Sequence, residues 1–140
     1  MMENKETRDY FASSLTEAQV RAMNSLALAH VGDAVFELLA RLDICGRHGG
    51  ASGELHRDTV SLVNAGAQAE DAKRLLPLLN EEESEVYRRG RNAKVNSVPR
   101  HAGVGEYHAA TGLEALFGYL YLMGRRERLN ALYDRIREES

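Results

Sequence analysis

The chain has 140 residues, 44% of them apolar and 28% charged, and a formal net charge of −3 at pH 7. This is the length of one ordinary domain, and no stretch approaches the ~18 consecutive apolar residues of a membrane span or the apolar core of a secretion signal. The single cysteine, Cys45, excludes an internal disulfide and fits a reducing cytoplasm. Because it lies at the end of an aliphatic segment, we expect it to fill the core rather than to react.

The periodicity of the apolar residues is helical throughout, and no segment alternates with the two-residue period of a strand. We therefore predict an all-α bundle of about six to seven helices, with a tail over residues 1–14 and a single domain over residues 15–140. The spacing of Thr16 and Gln19 is that of a capping box and predicts the start of a first, short helix. Further helices are predicted over residues 25–44, 54–65, 67–76, 81–89, 106–123 and 125–138.

The second predicted helix carries apolar residues at intervals of three and four, which predicts one buried face: Leu28, Val31, Val35, Leu38 and Leu42. His30, Asp33 and Glu37 follow the same interval on another stripe. Gly32 lies in the middle of this helix, where glycine costs about 0.5–1 kcal/mol relative to alanine. Its presence indicates that another backbone or a ligand approaches closely.

Two acids, Asp33 and Glu114, stand among aliphatic and small residues, where a buried helix normally carries an apolar side chain. Each would then carry a desolvation cost unless a cation or hydrogen bonds offset it. Small residues around Glu114 allow two helices to cross closely, and one carboxylate on each could hold a hard divalent metal between them. Pairing with an arginine, or a capping role, is the alternative that the pattern leaves open.

A basic segment from residue 88 to residue 100 holds five positive residues and no acid. It falls at the end of the fifth helix and in a long exposed loop that we predict over residues 90–105. The segment lacks aromatic residues, which argues against base stacking and favours contact with the backbone of a duplex. Arginines at a helix C-terminus can also be solvated, or can simply complement the helix dipole.

Four segments resemble known proteins. LALAHVGDAVFE at residues 26–37 resembles the signature helix of ribonuclease III domains, and three others resemble the narrower bacterial Mini-ribonuclease III family: LVNAGAQA at 62–69, RRGRNAK at 88–94 and TGLEALFGYLYL at 111–122. Together they cover roughly residues 15–132. The resemblance implies a homodimeric ribonuclease III-like fold and a Mg²⁺-dependent endonuclease. It further implies that the substrate is double-stranded RNA and that the reaction matures the ends of the 23S ribosomal RNA precursor.

The resemblance also implies the site residues. Asp33 and Glu114 match the aspartate and glutamate that ribonuclease III places at its metal, so both are expected to be catalytic and to bind Mg²⁺. Two further acids of ribonuclease III are replaced here by Ala29 and Thr111, and the Mini-ribonuclease III family shares this thinner set. In this interpretation, water attacks the phosphorus in line and leaves 5′-phosphate and 3′-hydroxyl ends.

Full ribonuclease III carries a separate RNA-binding domain, for which this sequence leaves no room, so we expect the catalytic domain itself to bind RNA. The expected RNA-binding residues are those of the basic segment: Arg88, Arg89, Arg91, Asn92, Lys94 and Arg100. A large-subunit ribosomal protein is a further candidate partner. The alternative function is a catalytically silent domain that binds RNA or acts as a dimeric assembly module, which the two replaced acids keep open.

Overall fold

The computed structural model describes residues 7–48, 52–94 and 103–138, and all the regular structure in these ranges is helical. The elements are α1 (Glu17–Ala22), α2 (Ser25–His48), α3 (Ser52–Val63), α4 (Ala65–Leu75), a 3-10 turn (Leu76–Leu78), α5 (Glu81–Arg91), α6 (Val104–Leu122) and α7 (Arg126–Glu138). The all-α prediction is confirmed. No helix in these ranges is long and apolar enough to cross a membrane.

Helix α6 is the centre of the fold, with α2, α4 and α5 packed around it. Its sequence is apolar around almost the whole circumference, which is typical of a buried helix. The glycine that follows it, Gly124, has φ of 73°. Its N–H donates to the carbonyl of Tyr121, and the N–H of Arg125 donates to that of Leu120, so the chain turns sharply into α7.

Helices α2 and α6 cross with their backbones in contact at two glycines. A Cβ on Gly32 would lie 1.6 Å from the carbonyl oxygen of Glu114, and a Cβ on Gly118 would lie 2.0 Å from that of Leu28. No side chain fits at either position, so each glycine is required by the close approach. The close approach expected at Gly32 is therefore confirmed, and the backbone of α6 is what approaches it.

Capping and ion pairs fix the short helices. The capping box at Thr16 is confirmed, since its side chain accepts from the N–H of Gln19. Helix α5 has a second capping box, formed by Asn80 and Glu83. The Glu83 carboxylate is 1% exposed and accepts two hydrogen bonds of 2.8 Å from Arg128 of α7. This buried pair holds α5 against α7 and so fixes the direction in which α5 ends.

The predicted buried face of α2 is wrong in part. Residues four apart face α6, because the glycine contact sets the rotation of the helix, and the buried stripe is Leu28, Ala40, Phe36 and Ile44. Leu38 and Leu42, expected in the core, are 53% and 62% exposed. Cys45 is exposed as well, so the prediction that it fills the core is wrong.

The predicted loop also begins too early. Gly90 is a buried residue of α5, and a Cβ on it would lie 2.7 Å from the Cβ of Ala115 and 3.0 Å from the Cα of Gly112. This glycine lets α5 approach α6 and does not end the helix, which continues through Arg91. Residues 95–102 of that loop, and residues 1–6 of the predicted tail, lie outside the described residues, while residues 7–15 form no helix.

Candidate active site

The crossing of α2 and α6 brings Asp33 and Glu114 together. Gly32 contacts the backbone of Glu114 directly, so the next residue of α2 lies beside the Glu114 side chain. The two carboxyl groups are hydrogen-bonded, with protonated Glu114 donating to the Asp33 carboxylate. The convergence of the two acids is thus a consequence of the glycine contact between the helices.

The two acids differ in solvent exposure, and burial shifts the pKa of one of them. Asp33 is exposed, so the expectation that both acids lie in apolar surroundings is wrong for it, while Glu114 is largely buried. Burial, followed by the hydrogen bond and charge of Asp33, raises the pKa of Glu114 from 4.5 to about 8, and the Gln68 amide opposes this rise. At neutral pH Glu114 therefore keeps its proton.

Neither acid has a cation as its partner in the part of the chain that the structure describes. The ion pairs found there join other residues. Neither side chain caps a helix there, because the caps of the neighbouring helices are formed by other residues. The structure therefore favours a site over the alternative in which Asp33 and Glu114 are ordinary paired or capping acids.

A cleft of about 660 Å³ opens above the pair, between α2, the start of α4 and the first half of α6. Besides the two acids, it is lined by Val63, Asn64, Ala65, Gly66, Gln68, Glu106, Tyr107, Ala110 and Thr111. Asn64 is the N-cap of α4 and accepts from the N–H of Ala67 at 2.9 Å. The Glu106 carboxylate lies 2.8 Å from the position where a Cβ of Gly66 would stand, so it packs directly against the start of α4.

Sequence reasoning assigned no role to the polar side chains that α4 and the start of α6 contribute: Asn64, Gln68 and Glu106. The available signal was the LVNAGAQA segment at residues 62–69, which was matched as a motif without an assignment for its individual residues. The neighbourhood of Gln68 and Glu114 depends on how α4 packs on α6, which helical periodicity does not reveal.

The two positions where ribonuclease III carries further acids add no charge to the cleft. Ala29 is buried, and the Thr111 hydroxyl donates to the carbonyl of Tyr107 at 3.0 Å. Among the described residues, no group of three or more His, Cys, Asp or Glu side chains is placed to hold a metal ion. The candidate site therefore has two acidic ligands, Asp33 and Glu114.

This donor set still fits a hard divalent cation. Mg²⁺ keeps several of its waters and is commonly bound through one or two carboxylates together with substrate phosphates. The raised pKa of Glu114 is compatible with such a site, because metal binding competes with protons for the same carboxyl. Asp33 and Glu114 can thus hold the cation with two carboxylate ligands.

The C-terminal end of α5 lies against the wall of this cleft. A Cβ on Gly90 would lie 3.3 Å from the carbonyl oxygen of Thr111, which lines the cleft. Four of the predicted RNA-binding residues are exposed at this end without a strong ion pair: Arg89, Arg91, Asn92 and Lys94. Arg88 is exposed but pairs with Glu85, and Arg100 lies outside the described residues.

Comparison with known proteins identifies the family. A profile of the ribonuclease III domain matches residues 26–125. The relative named Mini-ribonuclease 3 from Thermoanaerobacter sp. (strain X514) is 46% identical over 120 residues, which is 86% of this chain and 84% of that protein. The chain belongs to the Mini-ribonuclease 3 family. The relative named Mini-ribonuclease 3 from Synechocystis sp. is 47% identical over 124 residues, which is 86% of this chain and 84% of that protein.

The structural comparison agrees with this Mini-ribonuclease 3 assignment. A crystal structure of a protein from Fusobacterium nucleatum matches with a TM-score of 0.78 and 31% sequence identity, covering 86% of this chain and 96% of that one. The ribonuclease III-like fold is therefore confirmed, and the protein is an endoribonuclease. Membership of a family named for its ribonuclease activity disfavours the alternative of a catalytically silent assembly module.

Proposed function

We propose that this endoribonuclease cleaves double-stranded RNA in a Mg²⁺-dependent reaction, and that it matures the ends of the 23S ribosomal RNA precursor. The observation that carries the proposal is the pair of hydrogen-bonded carboxyls, Asp33 and Glu114, in a cleft beside the cationic end of α5. Acidic ligands for a metal and cations for a phosphate backbone are the two requirements of phosphodiester hydrolysis. The ribosomal precursor is the substrate that the family resemblance implies.

Each side chain of the site has a role in this reaction. Asp33 and Glu114 would hold Mg²⁺, directly or through water. A cation held there would supply Lewis-acid chemistry, polarising the phosphate and lowering the pKa of water. In-line attack by water then leaves a 5′-phosphate and a 3′-hydroxyl.

The end of α5 positions the RNA. Arg91 and Lys94 are exposed at the end of α5 that lies against the cleft wall, where they can contact phosphates that flank the scissile one, while the exposed Arg89 lines a separate groove with Glu82 and Tyr119. The described part of this basic segment, residues 88–94, contains no aromatic residue, so it offers no stacking platform for unpaired bases. These features support recognition of the backbone of a duplex by shape and charge.

We also propose that the protein acts as a homodimer that associates through α2. Its exposed stripe includes Leu38 and Leu42 at 53% and 62% exposure, next to the half-buried Val31 and Val35. Apolar side chains along one helix face favour a self-complementary contact about a two-fold axis. Two sites related by that axis would cut the two strands of one duplex. A large-subunit ribosomal protein is a further candidate partner.

Replacing Asp33 by asparagine tests the proposal. The change keeps the size of the side chain and removes one metal ligand, so we expect cleavage of duplex RNA in Mg²⁺ to fall at least about 100-fold. The matched control is Glu37→Gln, which neutralises an acid one turn further along α2 that pairs with Arg41. Undiminished cutting by Asp33→Asn, or cutting by the unchanged protein in excess EDTA, would contradict the proposal.

A further inference from the structure

A buried amide without a hydrogen-bond partner faces the candidate metal site. Gln68 of α4 is 3% exposed and lines the cleft with Asp33 and Glu114. Its Nε2 atom forms no well-formed hydrogen bond in the described residues, although the amide lies close enough to Glu114 to lower the pKa of that carboxyl. One other buried side-chain atom there shares this property, Nδ1 of His108, and His108 does not line the cleft.

Burying this amide has a cost that packing does not explain. A buried donor without a partner costs about 1–3 kcal/mol, whereas an apolar group of the same shape would be nearly neutral. The other buried residues of α4 include Ala69, Ala72 and Leu75, so this face of the helix accepts apolar side chains. An unsatisfied buried group in a native structure therefore calls for a partner that is absent from the metal-free protein.

The geometry points to the Glu114 carboxylate as that partner. A carboxylate that holds a cation with one oxygen needs a donor or water for its other oxygen, and a buried carboxylate has little access to water. Asp33 is exposed and can use water for its remaining oxygen, but Glu114 is largely buried and needs a donor from the protein. The nearby buried donor without a partner is Nε2 of Gln68.

We propose that Gln68 is a positioning residue of the metal site, whose Nε2 donates a hydrogen bond to one Glu114 oxygen so that the other faces the cation. The inference rests on the proposed function, because it requires Glu114 to hold a divalent cation. It also gives a physical reason why two acids suffice. A neutral donor orients Glu114 without placing another negative charge against the two carboxyl groups.

Two variants of similar volume, Gln68→Leu and Gln68→Met, test the inference by removing the donor. Their melting temperatures in EDTA should be unchanged or higher, because the unpaired amide is gone. Mn²⁺ prefers oxygen ligands and serves as the probe of the Mg²⁺ site, and the EPR signal of the free ion reports its binding. The Kd of both variants for Mn²⁺ should rise about tenfold or more, since a hydrogen bond to a charged group is lost. Met keeps the unbranched shape of Gln and controls for the branching of Leu.

Asp33→Asn is the reference that separates the possible outcomes. Loss of Mn²⁺ binding in Asp33→Asn, with weakened binding in both Gln68 variants, supports the inference. Loss in Asp33→Asn with an unchanged Kd in both Gln68 variants would overturn it and leave the proposed metal site intact. If all three variants bind Mn²⁺ with the same Kd as the unchanged protein, the proposed metal site itself is overturned. A lower melting temperature of both Gln68 variants in EDTA would also overturn the inference, because the amide would then stabilise the metal-free fold.

Discussion

Replacing Glu114 by glutamine tests whether this carboxyl keeps its proton near neutral pH in the folded protein. Burial raises the pKa of Glu114 to about 8 from the 4.5 expected of the unfolded chain. A group whose folded pKa is raised contributes stability that is fully present below its unfolded pKa and is lost as the pH rises through the folded one. The metal-free protein should therefore become less stable as the pH rises from about 4.5 to about 8.

The size of this effect follows from the two pKa values. Between them, each pH unit removes at most about 1.4 kcal/mol of the free energy of unfolding. From about pH 6.5 to about pH 8 the upper limit is about 2 kcal/mol, and we expect about 1–2 kcal/mol because Glu114 is itself partly ionised as the pH approaches its folded pKa. Asp71, whose pKa burial raises to about 6, titrates largely below this range.

The assay is urea denaturation in EDTA at both pH values, with the difference between the unchanged protein and Glu114→Gln as the readout. The variant should lose the fall in stability that Glu114 causes, whereas the control Asp71→Asn should retain it. Mg²⁺ should stabilise the unchanged protein more at the higher pH, because fewer protons then compete with it. If the free energy of unfolding has the same pH dependence in the unchanged protein and in Glu114→Gln, the conclusion that Glu114 keeps its proton near neutral pH is refuted.

Three further predictions test the helix crossing, the dimer and the RNA-binding surface. Gly32→Ala should lower the free energy of unfolding by about 3 kcal/mol or more, because its Cβ would lie 1.6 Å from the Glu114 carbonyl oxygen; a loss below about 1 kcal/mol in urea denaturation would contradict the contact. Leu38→Glu should shift sedimentation equilibrium toward the monomer, and an unchanged dimer would exclude this face of α2. Changing Arg91 and Lys94 together to alanine should weaken binding of duplex RNA and reduce the slope of log K against log salt by about 2. An unchanged slope, or an equal effect of Arg88→Ala, would count against that surface.

Features that depend on local sequence were predictable. The hydroxyl of Thr16 and the side chain of Gln19 satisfy backbone groups within the same turn, so their spacing alone was enough to place the start of α1. The cost of glycine inside a helix was likewise enough to predict close packing at Gly32. Acids among small residues on two helices were enough to suggest Asp33 and Glu114 as a pair, and the family resemblance added their expected role at a metal.

Features that depend on how helices pack were predicted less well. Periodicity on α2 gave two apolar stripes, and the choice between them depends on the rotation that Gly32 imposes against α6, so Leu38 and Leu42 were assigned to the core. Gly90 was interpreted as the start of a loop because glycine ends many helices. In the fold it serves instead to bring α5 against Gly112 of α6.

The contact at Gly32 links the stability of the fold to its chemistry. Backbone contact between α2 and α6 forces an exposed acid and a largely buried one together, and the cost of their repulsion is met by a proton on Glu114. The fold therefore holds the site in a protonated state from which a divalent cation can displace the proton. Because a cation must displace that proton, metal affinity should depend on pH. A donor such as Gln68, which favours the ionised form of Glu114, then contributes to metal binding. A site with two acids and a buried amide can thus replace a larger set of acids.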